Sequence, residues 1–316
     1  MRIMVTGGAG FVGKELVRSL KGGHEVLVAD LLRYGTPEWL VEPQGFTFRR
    51  VDIRDAAAIR SVIEDFAPEV IVHLAAIHYI PECDSDPANA VATNVSGTVN
   101  TLAACPAGTR FVFASSGAVY QPDEAPHREL DSVVEPVDIY GYTKQQGEVY
   151  LRALAASRGL SGVIVRLFNV IGPGETNPHL LPAIVAQLRD NPEAIQLGNT
   201  WPKRDYIDVL DAAGGFAAAA LGASPEPGQC EVVNLGSGHQ YSVNDIVERM
   251  RSVLGLDFEV QQDASRMRAV DRPHLGADIS RIRDAFGWTP QHELDETLKR
   301  MWDNPDFLPA LEGRLT

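Results

Sequence analysis

The 316-residue sequence predicts an α/β fold: a doubly wound parallel sheet (Rossmann) with a smaller mixed α/β lid. Three observations carry this expectation. Short, nearly continuous apolar runs alternate with longer segments of helical pattern through the first half. A glycine-rich turn directly follows the first run, and after residue 170 the rhythm breaks into loops rich in Pro, Gly and Asn. Strands covered by helices on both faces read as unbroken apolar runs, and their alternation with helices defines the doubly wound architecture.

The strand candidates are "RIMVTG" (2–7), "EVLVAD" (25–30), "FTFRRVD" (46–52), "VIVHLAA" (70–76), "RFVFASS" (110–116) and "GVIVRLFNV" (162–170). Helical pattern falls at about 11–21, 55–66, 87–104 and 140–157. Further on, "CEVVNLGSG" (230–238) reads as a strand. "YSVNDIVERMRSVLG" (241–255) reads as a helix with Ser242 as N-cap and Gly255 at its end. The sheet domain is placed at 1–172, with 205–238 returning to it. The lid is placed at 173–204 and 239–316, against the carboxyl edge of the strands, where ligands of open α/β sheets bind.

Composition narrows the function. A chain with 45% hydrophobic and 22% charged residues builds a core without staples. A formal charge of −14 argues against nucleic acid or an anionic membrane as partner, so an anionic ligand needs a local device to capture it. Three cysteines (Cys83, Cys105, Cys230) without CxxC spacing fit a reducing compartment, and eight histidines without an HExxH pattern predict no metal site. The start reads as no signal peptide, and "GGFAAAALGA" (214–223) is too short to span a bilayer. The expectation is a cytoplasmic protein.

"VTGGAGFVG" sets Gly7, Gly10 and Gly13 directly after the first strand, with Phe11 and Val12 opening a helix. Such a turn lets backbone approach a pyrophosphate, whose charge rests on the helix N-terminus, although it can also be purely structural. Asp30 ends the second strand, where a carboxylate accepts from both ribose hydroxyls and repels a 2′-phosphate; this favours NAD over NADP, with the adjacent Arg33 pulling the other way. Asp52, with Ile53, ends the third strand, where it either reaches the adenine or caps the turn.

"FVFASSGAVY" (111–120) ends a buried strand in two serines at the ligand face. "DIYGYTKQQGEVY" (138–150) puts Tyr140 and Lys144 at i and i+4 on one helical face, while Tyr142 turns about 200° away. A Tyr–Lys pair is either a surface contact or a phenol poised by an ammonium to act as a base. A serine, tyrosine and lysine in this order, behind a nucleotide turn, favour the second reading.

With these motifs the chain resembles the extended short-chain dehydrogenase/reductase family, and within it the nucleotide-sugar epimerases and dehydratases of the UDP-glucose 4-epimerase type. The resemblance runs over nearly the whole chain. It covers TGGxGFxG at 6–13, Asp30, "VDIRD" (51–55), "HLAA" (73–76), "ATNVSGT" (92–98), "SSGAVY" (115–120) and Tyr140-x-x-x-Lys144. It continues through "RLFNVIGP" (166–173), "RDYIDVLD" (204–211), "NLGSG" (234–238) and "ADISRIRDAFGWTP" (277–290).

The resemblance implies a catalytic set of Ser116, Tyr140 and Lys144. Tyr140 is the base, Lys144 holds the nicotinamide ribose and lowers the phenol's pKa, and Ser116 hydrogen-bonds the sugar hydroxyl being oxidised. Leu74, Ala75, Ala76, Asn94 and Ser115 fall in segments that line the cofactor. Asn169, Arg204 and Arg268 match positions that bind the diphosphate of a nucleotide-diphosphate hexose; the bland alternative pairs the two arginines with Asp205 and Asp271. Asn177 and His179 face the substrate or simply cap a loop. His78, with Tyr79 and Cys83, shapes the sugar pocket, and Cys83 stands where these epimerases more often have Ser.

The implied reaction is transient oxidation at C4 to a 4-keto sugar, followed by hydride return on its other face. Related dehydratases carry an Asp-Glu pair, and decarboxylases a Glu, just after the catalytic hydroxyl. This chain has Gly117 and Ala118 there, which leaves a 4-epimerase or a 4-ketoreductase; a dehydratase fits less well, and a catalytically inactive scaffold is at odds with the intact Tyr and Lys. A homodimer built from paired helices, as is common in the family, is expected.

Overall fold

The computed structural model describes residues 1–33, 37–41, 45–175, 177–266 and 272–306. Its strands are β1 (Arg2–Thr6), β2 (Glu25–Asp30), β3 (Thr47–Arg50), β4 (Val70–His73), β5 (Arg110–Ser116), β6 (Ser161–Leu167), β7 (Asn169–Ile171), β8 (Ala194–Leu197), β9 (Lys203–Asp208), β10 (Cys230–Leu235), β11 (Gln240–Ser242), β12 (Glu259–Gln262) and β13 (His274–Leu275). Seven form one sheet in the order β10-β6-β5-β4-β1-β2-β3, with every pairing parallel. The strand order reverses between β1 and β4, and the crevice beyond their carboxyl ends is where such sheets hold ligands.

The helices are α1 (Phe11–Leu20), α2 (Glu38–Val41), α3 (Ala56–Phe66), α4 (Ile80–Ser85), α5 (Pro87–Val91), α6 (Gly97–Ala104), α7 (Ile139–Arg158), α8 (Leu180–Asp190), α9 (Val209–Leu221), α10 (Val243–Leu254), α11 (Ser280–Phe286) and α12 (Leu294–Asp303). Alternate strand residues supply the two faces of the sheet. Ile3, Val5, Val26 and Val28 meet Leu16 and Val17 of α1 and Phe216 of α9. Met4, Leu27, Ile71 and Phe113 meet Ile59 and Ile63 of α3, Leu102 of α6 and Leu151 of α7. Both faces are dry, so the apolar runs read as unbroken.

The predicted helix at 87–104 is one path in three parts: α5, a wide turn at 92–96 with π-type geometry, and α6. The predicted strand at 162–170 breaks at the buried Phe168. β6 stays in the large sheet, while β7 crosses to β9 in a second sheet of order β11-β9-β13. That sheet, the β12–β8 pair and helices α8, α10 and α12 enclose a separate core around Ile184, Ile246 and Met301. Residues 169–171 and 205–208, read from sequence with the sheet domain, therefore lie in the smaller layer. Ile282 and Trp288, read with the lid, pack on the large core. The chain crosses between layers more often than its composition reveals, and the crossing from β6 to β7 takes the single residue Phe168.

Ser242 caps α10 in a reciprocal capping box with Asp245, and Gly255 closes it in the left-handed conformation. Among the described residues no helix is long and apolar enough to cross a membrane.

Candidate active site

One cavity of about 1,320 Å³ runs from the glycine turn to the face of the smaller layer. At its nucleotide end Gly7 sits at φ +68°, and a Cβ there would lie 2.7 Å from the backbone nitrogen of Ala75. The turn after β1 thus presses on the segment after β4, which only glycine permits. α1 begins at Phe11 with Gly10 as N-cap and no side-chain cap on its first amides, so the positive end of the helix opens on the cavity. Phe11, Val12, Gly13, Leu74, Ala75 and Ala76 line the same region.

Asp30 accepts the amides of Ala9 (3.1 Å) and Leu32 (2.8 Å), and burial holds its carboxyl above the usual value. Arg33 pairs with Glu82, and both line the cavity. Asp52 lines the wall beside Ile53, but its carboxylate is gripped by Arg54 at 2.7 and 2.9 Å, which lowers its pKa. Asn94 is the exception to the predicted cofactor set. Its amide accepts from Ile77 N (2.8 Å) and donates to Ile77 O (2.8 Å) and Thr143 Oγ1 (3.0 Å), so it braces the loop after β4 from behind instead of lining the cavity.

The chemical end is assembled from β5 and α7. Ser116 ends β5 and takes the amide of Ala118 at 3.1 Å; its hydroxyl lies on the same cavity wall as the Tyr140 phenol and lowers the phenol's pKa. Asp138 caps α7 by accepting the Gly141 amide at 2.7 Å. Gly147, Leu151 and Ala155 bury the face of α7 that Tyr140 and Lys144 share, whereas Tyr142 is exposed. Lys144 is buried, with Nζ 2.8 Å from Ala114 O and 5.8 Å from the centre of the Tyr140 ring. Burial pushes its ammonium down to about 8.

Several groups act on the Tyr140 phenol. Burial drives the phenol above its ordinary value; the Ser116 hydroxyl opposes this, and Cys83 and Asp138 add to it. Ser115 lines the cavity, but its hydroxyl donates to Glu148 (2.6 Å), whose carboxylate is paired with the buried Arg166 at 2.7 Å. Cys83 lies beneath Tyr140, fully buried and off the cavity lining, and burial raises its thiol to about 11.

Two loops face each other at the sugar side. His78 Nε2 lies 2.9 Å from Asn177 Nδ2, and His179 Nδ1 lies 3.1 Å from the buried Glu175. The Tyr79 and His179 rings are 5.5 Å apart. Burial away from water, then the charges of His179 and Lys144, push the His78 imidazole down. Asn169 and Arg204 line the cavity from β7 and β9. Asp205, the bland partner considered for Arg204, is fully buried and accepts from Ser237 (2.6 and 2.7 Å) and Gly238 (2.9 Å). Arg268 and Asp271 lie outside the described residues.

Sequence reasoning passed over Glu175, Asp138 and Arg272, all of which line or brace this cavity. Glu175 carried a faint signal, four residues before His179; the other two join segments far apart in sequence. Among the described residues no group of three or more His, Cys, Asp or Glu is placed to hold a metal ion. The glycine turn, the open helix end and the carboxylate at the end of β2 fit a dinucleotide of the NAD type.

A sheet of this order with a glycine turn and a Ser–Tyr–Lys wall on one cavity has the form of a nucleotide-dependent α/β enzyme. The chain belongs to the NAD dependent epimerase/dehydratase family, whose model matches residues 3–236. It is 32% identical to a UDP-glucose 4-epimerase of Corynebacterium glutamicum, covering 99% of this chain and 98% of that protein. It is 29% identical to a GDP-6-deoxy-D-mannose reductase of Pseudomonas aeruginosa, covering 94% and 95%. The UDP-glucose 4-epimerase of Thermus thermophilus, solved in complex with NAD, superposes with a TM-score of 0.81 at 29% identity, covering 96% and 98%. NAD is the cofactor, and the enzyme modifies nucleotide sugars.

Proposed function

We propose that this protein is an NAD-dependent nucleotide-sugar 4-epimerase that oxidises C4 of a nucleotide-diphosphate hexose transiently and restores it with inverted configuration. The observation that carries the reading is the Ser116–Tyr140 pair on one wall of a cavity whose next residues, Gly117 and Ala118, offer no carboxylate for eliminating water. NAD, when bound, supplies a hydride acceptor able to return what it takes.

The protein's own groups do the rest. Ser116 holds the sugar O4, and Tyr140 takes its proton and gives it back. Lys144 holds the nicotinamide ribose and places positive charge near the phenol. Asn169, Asn177, His179 and Arg204 hold the diphosphate and sugar, with Arg268 proposed for the same role, and His78 and Tyr79 bound the hexose. The exposed Tyr142, Val149 and Tyr150 of α7 are read as a face on which a second copy pairs to form a homodimer, in the reducing cytoplasm that three free cysteines suit.

The test is to incubate purified protein with UDP-, dTDP-, GDP- and CDP-hexoses and follow the sugar by NMR. A C4 epimer formed without added cofactor supports the reading. Net consumption of NAD(P)H assigns a reductase, as in the Pseudomonas relative, and loss of water assigns a dehydratase. Tyr140→Phe should lower kcat by on the order of 10³-fold while NAD stays bound; survival of activity sinks the role given to Tyr140.

A further inference from the structure

Arg272 belongs to none of the motifs that mark the site, yet its guanidinium is buried in the catalytic wall. One nitrogen lies 3.2 Å from Tyr120 O; the other lies 3.0 Å from Ala118 O and 2.8 Å from Asp138 Oδ2. These acceptors belong to two separate pieces. Ala118 and Tyr120 form the turn that leaves Ser116, and Asp138 caps the helix that carries Tyr140 two residues later. The pieces are in contact, since a Cβ on Gly141 would fall 2.5 Å from Ala118 O. The three groups that Arg272 reaches are all acceptors and repel one another unless a donor sits between them. A planar guanidinium with several fixed N–H groups meets that need, and a lysine's point charge does not.

Arg272 is itself anchored. Its carbonyl accepts Arg204 Nη1 at 2.8 Å, and β13, two residues further on, pairs with β9 through His274↔Lys203 and Leu275↔Arg204. Its backbone therefore belongs to the smaller layer while its side chain belongs to the catalytic wall.

We propose that Arg272 is a positioning residue that fixes the spacing of Ser116 and Tyr140 by clamping the Ala118–Tyr120 turn to the Asp138 cap. The proposal rests on the reading of Tyr140 as the base. Around Tyr140 stand Cys83 on α4, Asp138 at the cap, Lys144 one turn along α7 and the Ser116 hydroxyl. Asp138 is among the groups that raise the phenol, and Arg272 is its counter-charge. Removing the guanidinium should loosen the spacing and raise the phenol further.

The experiment uses the NAD-bound enzyme with Arg272→Met, Arg272→Lys and Arg272→Met/Asp138→Asn. Arg272→Met should lower kcat by about 10²-fold, with KM for the nucleotide hexose within about threefold. The titration of Tyr140, read as tyrosinate absorbance against the matching Tyr140→Phe protein, should move to higher pH. Asp138→Asn in the same chain should bring the titration back while kcat stays low, because the clamp is still missing. Arg272→Lys keeps the charge and loses the fork, so it should titrate near wild type and still lose about tenfold in kcat. Wild-type kcat in the Lys or Met variant, or reduced stability with an unmoved Tyr140 titration, overturns the proposal. If wild type itself turns over no nucleotide hexose, the epimerase reading fails, and the Tyr140 titration still decides Arg272.

Discussion

The nucleotide end of the cavity is built from backbone, and the chemical end from buried side chains. At the first, Gly7, Gly13, the start of α1 and Asp30 all fall within residues 7–30, and apart from the Asp30 carboxylate what matters is what is missing: a Cβ at Gly7, a side-chain cap at the helix start. At the second, Ser116, Tyr140 and Lys144 stand on a polar network that draws Glu148 and Arg166 from α7 and β6 and Arg272 from just before β13. The first plan stores its cost in conformation, the second in desolvated charge. The two ends should therefore fail differently when disturbed.

The largest stability effect is expected at the chemical end. Glu148 and Arg166 are both buried, and Glu148 also holds Ser115 beside Ser116. Glu148→Ala leaves a guanidinium buried without its carboxylate and should cost about 3–5 kcal/mol, read as a lower denaturant midpoint at unchanged m-value. Adding Arg166→Met should recover much of that loss, because an apolar pair carries no desolvation penalty. If the single variant unfolds at the wild-type midpoint, the chemical end is not held by charge and the contrast collapses. A smaller cost belongs to the other end. Gly7→Ala places a Cβ 2.7 Å from Ala75 N at a positive φ, so it should destabilise by roughly 1–3 kcal/mol. It should also weaken NAD binding, measured by titration calorimetry, with the shared face of α7 left intact. Glu148→Ala should show the reverse pattern, with NAD affinity nearly kept.

The same contrast explains what the sequence made legible. The sheet, its helices and the glycine turn could be read because each depends on neighbours along the chain: apolar runs for β1, β2, β4 and β5, a turn and helix start at 7–13, and i, i+4 spacing for Tyr140 and Lys144. The parts that escaped depend on distant partners. Phe168 gives no local sign that it carries the chain from one sheet to the other. Asn94 reads as a polar residue near the cofactor, and only the fold shows Ile77 and Thr143 consuming its amide. Asp52 was legible as a strand-end acid, but its partner Arg54 was not. Spacing likewise reports that Tyr140 is near Lys144 and says nothing about how much water the wall excludes.

The smallest effect is the sharpest probe of that wall. Burial moves the Lys144 ammonium from 10.5 to about 8, so below pH 8 the folded protein carries a cation that water would hold more favourably. Folded and unfolded chains are both protonated there, and the cost is constant. Between pH 8 and 10.5 the unfolded chain binds more protons than the folded one, so stability rises with pH through that window. A shift of this size corresponds to at most about 3 kcal/mol. Lys144→Met relieves the cost but also removes the bond to Ala114 O, worth roughly 1–3 kcal/mol. The net expectation at pH 7 is a Met variant more stable by on the order of 1 kcal/mol and without activity. That advantage should shrink and then reverse as thermal melts are repeated from pH 8 to pH 10. A Met variant less stable at every pH would mean that the ammonium is already well solvated. The chemical end would then differ from the glycine end only in its atoms, and not in the kind of cost it carries.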